Sequence, residues 1–171
     1  AANALGPTLL GLFAVSAGLR LVHLSTDYVF DGEGKVPYRE GDSVAPQTVY
    51  GKTKAEGERR LIAVMPEACI IRTSWLFGEG GKNFFSVILE KMKTMEEVQV
   101  VSDQIGKPTY VPDLVAVLIE ALDWSGIYHV ANSEATSRLH FTKTLYYEAL
   151  AQGIALRTKK IVPILSSDLF T

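Results

Sequence analysis

The sequence predicts an α/β fold built on a parallel or mixed sheet, and three observations point there. Short continuous apolar runs, the pattern of strands covered on both faces, alternate with longer stretches whose apolar residues recur at helical spacing. The composition, 47% hydrophobic and 21% charged over 171 residues, suits one compact globular domain; it is too apolar for disorder and too evenly charged for a membrane span. No internal repeat and no low-complexity tract competes with that reading.

Leu5, Leu9, Leu12, Phe13 and Val15 recur at helical spacing up to Gly18, a helix entered without an initiator Met or an N-cap, as in a piece of a longer protein. No basic stretch precedes it, and Gly11, Ser16 and Gly18 interrupt it, so neither a signal peptide nor a transmembrane helix is predicted. Residues 21–26, LVHLST, read as a buried strand. Residues 31–47 hold Gly32, Gly34, Pro37, Gly41 and Pro46 among charges and read as a long loop, with Asp31, Glu33, Glu40 and Asp42 solvated. An amphipathic helix over 50–65 is stopped by Pro66. Residues 69–74 form a second buried strand. Cys69, the one cysteine, packs there as a small hydrophobe, which suits a reducing cytoplasm.

A turn over 78–83 leads to a helix over 84–94 and a strand over 98–101. Residues 113–122 read as a helix, 127–130 as a strand, and 141–151 as a helix preceded by Thr136-Ser137. Residues 157–160 read as a solvated turn before the segment 161–164.

Seventeen Lys and Arg against nineteen Asp and Glu give a net charge of -2, so no global field draws the chain to nucleic acid or anionic membrane. His23, His129 and His140 have no metal-ligand spacing and are read as structural, with no metal implied.

The chemistry lies elsewhere. Tyr50-Gly51-Lys52-Thr53-Lys54 puts a phenol and an ammonium four residues apart, stacked on one face of a helix. An ammonium beside a phenol favours its ionised form, so such a hydroxyl can both give and take a proton near neutrality. Thr26 ends the first strand 24 residues earlier, and strand ends are where ligands dock on open α/β sheets.

Thr26, the Tyr50–Lys54 helix and the strand ending Arg72-Thr73-Ser74-Trp75 together resemble the extended short-chain dehydrogenase/reductase superfamily. More narrowly, STDYVFDG, YGKTKAEGE, RTSWLFG, DQIGKPT and GIYHV, in this order, resemble the dTDP-4-dehydrorhamnose reductases over roughly nine tenths of the chain. The resemblance implies a Rossmann-like parallel sheet with flanking helices, N-terminal strands absent, plus a small C-terminal substrate-binding region. It divides the chain into residues 1–101, carrying the catalytic residues of the dinucleotide-binding fold, and 102–171, mostly substrate-binding. It implies NADPH, or NADH, as cofactor and a dTDP-sugar as substrate, with Tyr50 as proton donor, Lys54 holding the nicotinamide ribose, and Thr26 bonding the same carbonyl. By the same carry-over Ser25 and Ser74 join the cofactor site, Asp27 and Trp75 line the sugar site, and Asn3 corresponds to the Asn of the preceding helix.

Family members open with a Gly-rich turn that cradles the pyrophosphate, and none of the fourteen glycines here forms GxGxxG or GxxGxxG. Gly78-Glu79-Gly80-Gly81 comes nearest. The chain alone is therefore expected to be inactive, and either self-associated or bound to the missing N-terminal segment. A second expectation, from another class, is a non-catalytic binding role like that of the regulatory subunit of methionine adenosyltransferase, which has a similar pattern; the intact Thr26, Tyr50, Lys54 and Trp75 favour the enzyme.

Overall fold

The structure is a computed structural model that describes residues 2–170. Ala1 and Thr171, the outer limits of the two expected parts, lie outside the described residues. In chain order the elements are α1 (Ala2–Ala17), β1 (Val22–Thr26), a 3₁₀ turn (Asp27–Val29), α2 (Val49–Val64), β2 (Cys69–Thr73), β3 (Leu76–Phe77), α3 (Phe84–Thr94) and β4 (Glu97–Val101). There follow β5 (Ile105–Gly106), β6 (Thr109–Tyr110), α4 (Val111–Glu120), a 3₁₀ turn (Ala121–Asp123), β7 (Gly126–His129), β8 (Thr136–Ser137), α5 (Arg138–Ala151), β9 (Lys160–Ile164) and a last 3₁₀ turn (Ser166–Phe170). The chain forms two compact units, one of residues up to Ser74 with Asp113–Val130, the other of Trp75–Pro112 with the residues from Ala131 onward.

The first unit is a parallel sheet in the order β1-β2-β7, and β1 pairs with β2 so that Ser25 stands beside Arg72 and Thr26 beside Thr73. The alternation of a strand sends Ile70 to one face, where it packs with Leu61 of α2 and Ala14 of α1, and Cys69 and Ile71 to the other, with Leu114 and Ala121. The helices therefore cover both faces, which is why all five residues of β2 are buried. Cys69 is buried, and burial pushes its thiol up from the ordinary value.

α1 reverses the usual helix pattern. Its buried residues are Pro7, Gly11 and Ala14, while Leu5, Leu9, Leu12, Phe13 and Val15 are exposed in this chain. Small residues face α2 because the two helices approach closely: a Cβ on Gly57 would lie 2.1 Å from the Asn3 carbonyl oxygen.

The second unit holds its own core, Ile88 and Met92 of α3 with Val98 and Val100 of β4 and Leu145 of α5. Asn83 caps α3 by a reciprocal box with Ser86. The segment expected as a solvated turn is instead tied down: Thr158 is buried, and its hydroxyl donates to the Met95 carbonyl at 2.7 Å. It leads into β9, which pairs parallel with β4 and contains Pro163, a residue tolerated because a two-stranded sheet has only edge strands. No helix among the described residues is long and apolar enough to cross a membrane.

Candidate active site

The site begins at the carboxyl end of β1. Thr26 caps the 3₁₀ turn: its Oγ1 accepts from the Tyr28 backbone N–H at 3.2 Å and donates to Asp27 Oδ1 at 3.0 Å. The turn brings the Tyr28 ring edge-on to that of Tyr50, the ring centroids 5.9 Å apart. Thr48 caps α2 by accepting from Gly51 N–H, so Tyr50 stands in the first helical turn. Gly51 is required there, since a Cβ would lie 2.1 Å from the Tyr28 carbonyl oxygen.

Lys54, one turn on, is 9% exposed, and its Nζ donates to the Leu24 carbonyl of β1 at 2.5 Å. Burial pulls its ammonium below the ordinary range, and the Glu58 carboxylate opposes that. Tyr50 itself is 49% exposed, so the helix presents an accessible phenol above a buried amine. Asn3 of α1 reaches the same helix, its Nδ2 donating to Thr53 Oγ1 at 3.3 Å.

Ser25 is turned inward. Its hydroxyl donates to Glu58 Oε1, leaving the backbone as what this residue could offer a ligand. Ser74, half-buried, follows β2 and closes the first unit. The structure thus gathers Ser25, Thr26, Asp27, Tyr50 and Lys54 around one strand end and one helix start.

Trp75 opens the second unit with a backbone φ of 46°, among the described residues the one non-glycine in the left-handed region. The Arg138 guanidinium lies 3.8 Å from its ring centroid. Gly106 leaves room for the indole, because a Cβ there would sit 2.5 Å from Trp75 Cε2.

Two residues at the centre of the first unit lie within the motifs of the sequence but are assigned no role there. Glu58 and Arg72 form a buried ion pair at 2.7 Å, their side chains 5% and 4% exposed. The signal was there: a charge inside the apolar run CIIRT needs a buried partner. The long loop is also less free than its composition suggests. Asp31 accepts from the Tyr38 hydroxyl, the Phe30 and Tyr38 rings stack 4.3 Å apart, and Glu40 accepts from the His129 backbone N–H at 3.1 Å, so the half-buried Asp31 and the exposed Glu40 are both partnered.

A family model described as the RmlD substrate binding domain matches residues 1–170. The chain belongs to the RmlD substrate-binding domain family. It is 43% identical over 148 residues to the spore coat polysaccharide biosynthesis protein SpsK of Bacillus subtilis, covering 86% of this chain and 52% of that protein. It is 38% identical over 174 residues to a dTDP-4-dehydrorhamnose reductase of Aggregatibacter actinomycetemcomitans, covering 97% of this chain and 59% of the relative. Among solved structures, the dTDP-4-dehydrorhamnose reductase of Bacillus anthracis in complex with NADP superposes with a TM-score of 0.90 at 34% identity, over 99% of this chain and 59% of that one. The chain therefore spans between half and three fifths of the length of these family members. The parallel sheet with flanking helices expected from the sequence is present, in a fold that matches the Bacillus anthracis structure.

Proposed function

We propose that the protein carrying this chain reduces the C4 ketone of dTDP-4-dehydro-6-deoxy-L-mannose to dTDP-L-rhamnose with NADPH, or with NADH, in the cytoplasm. The observation that carries the reading is the buried Lys54 amine, bonded to the Leu24 carbonyl, one helical turn from the accessible Tyr50 hydroxyl. Membership of the family and the names of its reductases support it.

The donor set suits the ribose end of a dinucleotide. An ammonium carries three donors, and Lys54 spends one on Leu24, leaving others for ribose hydroxyls. A reduced nicotinamide, when bound, supplies hydride. Tyr50 gives its proton to the C4 oxygen as charge develops there, and Lys54 stabilises the phenolate that remains. Thr26 bonds the same oxygen by turning its hydroxyl from Asp27. Asp27 and Trp75 line the sugar site; Ser25 and Ser74 border the cofactor. Residues 1–101 are then the catalytic part of the dinucleotide fold, and residues 102–171 mostly serve the sugar.

The test supplies the full-length gene product with the sugar nucleotide and NADPH and follows NADPH oxidation and the sugar formed. dTDP-L-rhamnose is expected; a protein that binds both ligands and makes no rhamnose contradicts the proposal. The 171 residues alone lack the Gly-rich turn, so NADPH titrated into them is expected to bind very weakly, without turnover. A dissociation constant in the low micromolar range with turnover would contradict that.

A further inference from the structure

Glu58 and Arg72 take no part in the proton transfer just described, yet they lie directly beneath it. Arg72 Nη2 donates to Glu58 Oε2 at 2.7 Å, and its Nε reaches both carboxylate oxygens at 3.1 and 3.2 Å. The Ser25 hydroxyl completes the cage around Oε1, and Arg72 Nη1 extends to the Glu40 carbonyl at 3.4 Å. A buried pair of this kind is as a rule no more stabilising than well-packed apolar residues in its place. Its cost therefore asks for another explanation.

The contacts supply one. Three successive residues at the end of β1 are held one by one: Leu24 through its carbonyl by Lys54, Ser25 through its hydroxyl by Glu58, and Thr26 by its own bonds to Asp27 and Tyr28. Lys54 and Glu58 are four apart on α2 and so share its inner face. The register that sets Ser25 beside Arg72 puts the third member of the cage on the next strand.

We infer that Glu58 is a positioning residue for the acid–base unit: gripped by Arg72, its carboxylate fixes the Ser25–Thr26 end of β1 against α2 and places a negative charge one helical turn from Lys54. This rests on the acid–base reading of Tyr50 and Lys54. The charges around the amine support it. From β1, His23 is pushed down to about 4 by burial and by Lys54, so it is neutral at pH 7. From β7, His129 is also held below its ordinary value by burial. Glu40 of the loop lies against His129 and Arg72, and Arg72 is itself matched by Glu58. Tyr50 shares the helix and is exposed. Glu58 is the anion that acts on Lys54.

The test reads Lys54 directly, by NMR titration of the full-length protein labelled at its lysine side chains, with the resonance assigned through Lys54→Arg. Glu58→Gln keeps an acceptor for Ser25 and removes the charge; Lys54 is expected to titrate at lower pH, with the Ser25 and Thr26 amide resonances displaced. Glu58→Asp restores the charge and is expected to return Lys54 toward its parent value. Because Glu58→Gln strands a buried guanidinium, Glu58→Gln with Arg72→Met is measured beside it; the pair of changes is expected to recover the fold and leave Lys54 titrating low. Unchanged titration and unmoved amides in a folded variant would overturn the inference and leave the pair a structural one. So would a double variant that also fails to fold, which would assign the pair to stability. None of these readings depends on turnover, so failure of the reductase reading would show separately, as absence of sugar reduction by the unsubstituted protein.

Discussion

Replacing Gly51 by Ala adds one carbon where α2 meets the 3₁₀ turn. That carbon would lie 2.1 Å from the Tyr28 carbonyl oxygen, 2.9 Å from its carbon and 3.1 Å from Pro46 Cβ. Two of the three neighbouring atoms are backbone, so no rotamer change relieves the clash, and the helix start must retreat by about 1 Å to reach ordinary contact. Overpacking of this kind costs about 1–3 kcal/mol, and the better helix propensity of Ala returns up to about 1 kcal/mol, so a net loss of about 1–2 kcal/mol is expected. The functional effect should be larger. Tyr50 is the adjacent residue, and a misplacement of about 1 Å in a reacting group can cost on the order of 10²-fold in rate. Urea unfolding and turnover of the full-length protein measure the two effects. Gly41→Ala is the control, because nothing lies within 4 Å of a Cβ there and its φ lies outside the left-handed region, so stability should stay within about 1 kcal/mol of the parent. A Gly51→Ala protein with stability within about 0.5 kcal/mol of the parent and an unchanged kcat would refute the close-approach argument.

Other outcomes follow from the same geometry. Arg72→Met leaves the Glu58 carboxylate buried without its counter-ion and should cost about 3–5 kcal/mol in urea unfolding, much of it recovered when Glu58→Gln is added; a single variant within about 1 kcal/mol of the parent would show that the pair is not desolvated as the structure has it. Burial holds His23 at about 4 in the folded chain against an ordinary 6.5, so the unfolded chain binds its proton first. The stability His23 contributes is complete above pH 6.5 and is lost as pH falls toward 4. His23→Asn should flatten the dependence of the urea midpoint in that window, and parallel losses in parent and variant would contradict the assignment.

What could be read beforehand followed the strength of the local signal. Residues 84–94 were legible to both ends because Phe84, Phe85, Ile88, Leu89 and Met92 keep one helical stripe, and β1 and β2 because a continuous apolar run has one economical place in an α/β sheet. The two-residue strands β3, β5, β6 and β8 show no periodicity, since two residues cannot carry one. The segment 161–164 is part of a strand in spite of Pro163, because both strands of its sheet are edges. In α1 the apolar stripe was visible, but which face is buried was not, because that depends on the close approach Gly57 allows. The same limit governs the site. Tyr50, Lys54 and Thr26 announce themselves by spacing and by their place at a strand end. Glu58 and Arg72 acquire meaning only from the register that sets Ser25 beside Arg72 and turns both toward the helix.

The central claim, that Tyr50 is the proton donor of a sugar-nucleotide reductase, is tested most directly by turnover of Tyr50→Phe in the full-length protein, with dissociation constants for NADPH and the dTDP-sugar measured on the same preparation. Removing one hydroxyl from a half-exposed ring should leave the fold and sugar binding intact and lower kcat by about 10² to 10⁴, the range for loss of a general acid. Unchanged kcat with both ligands bound would contradict the claim.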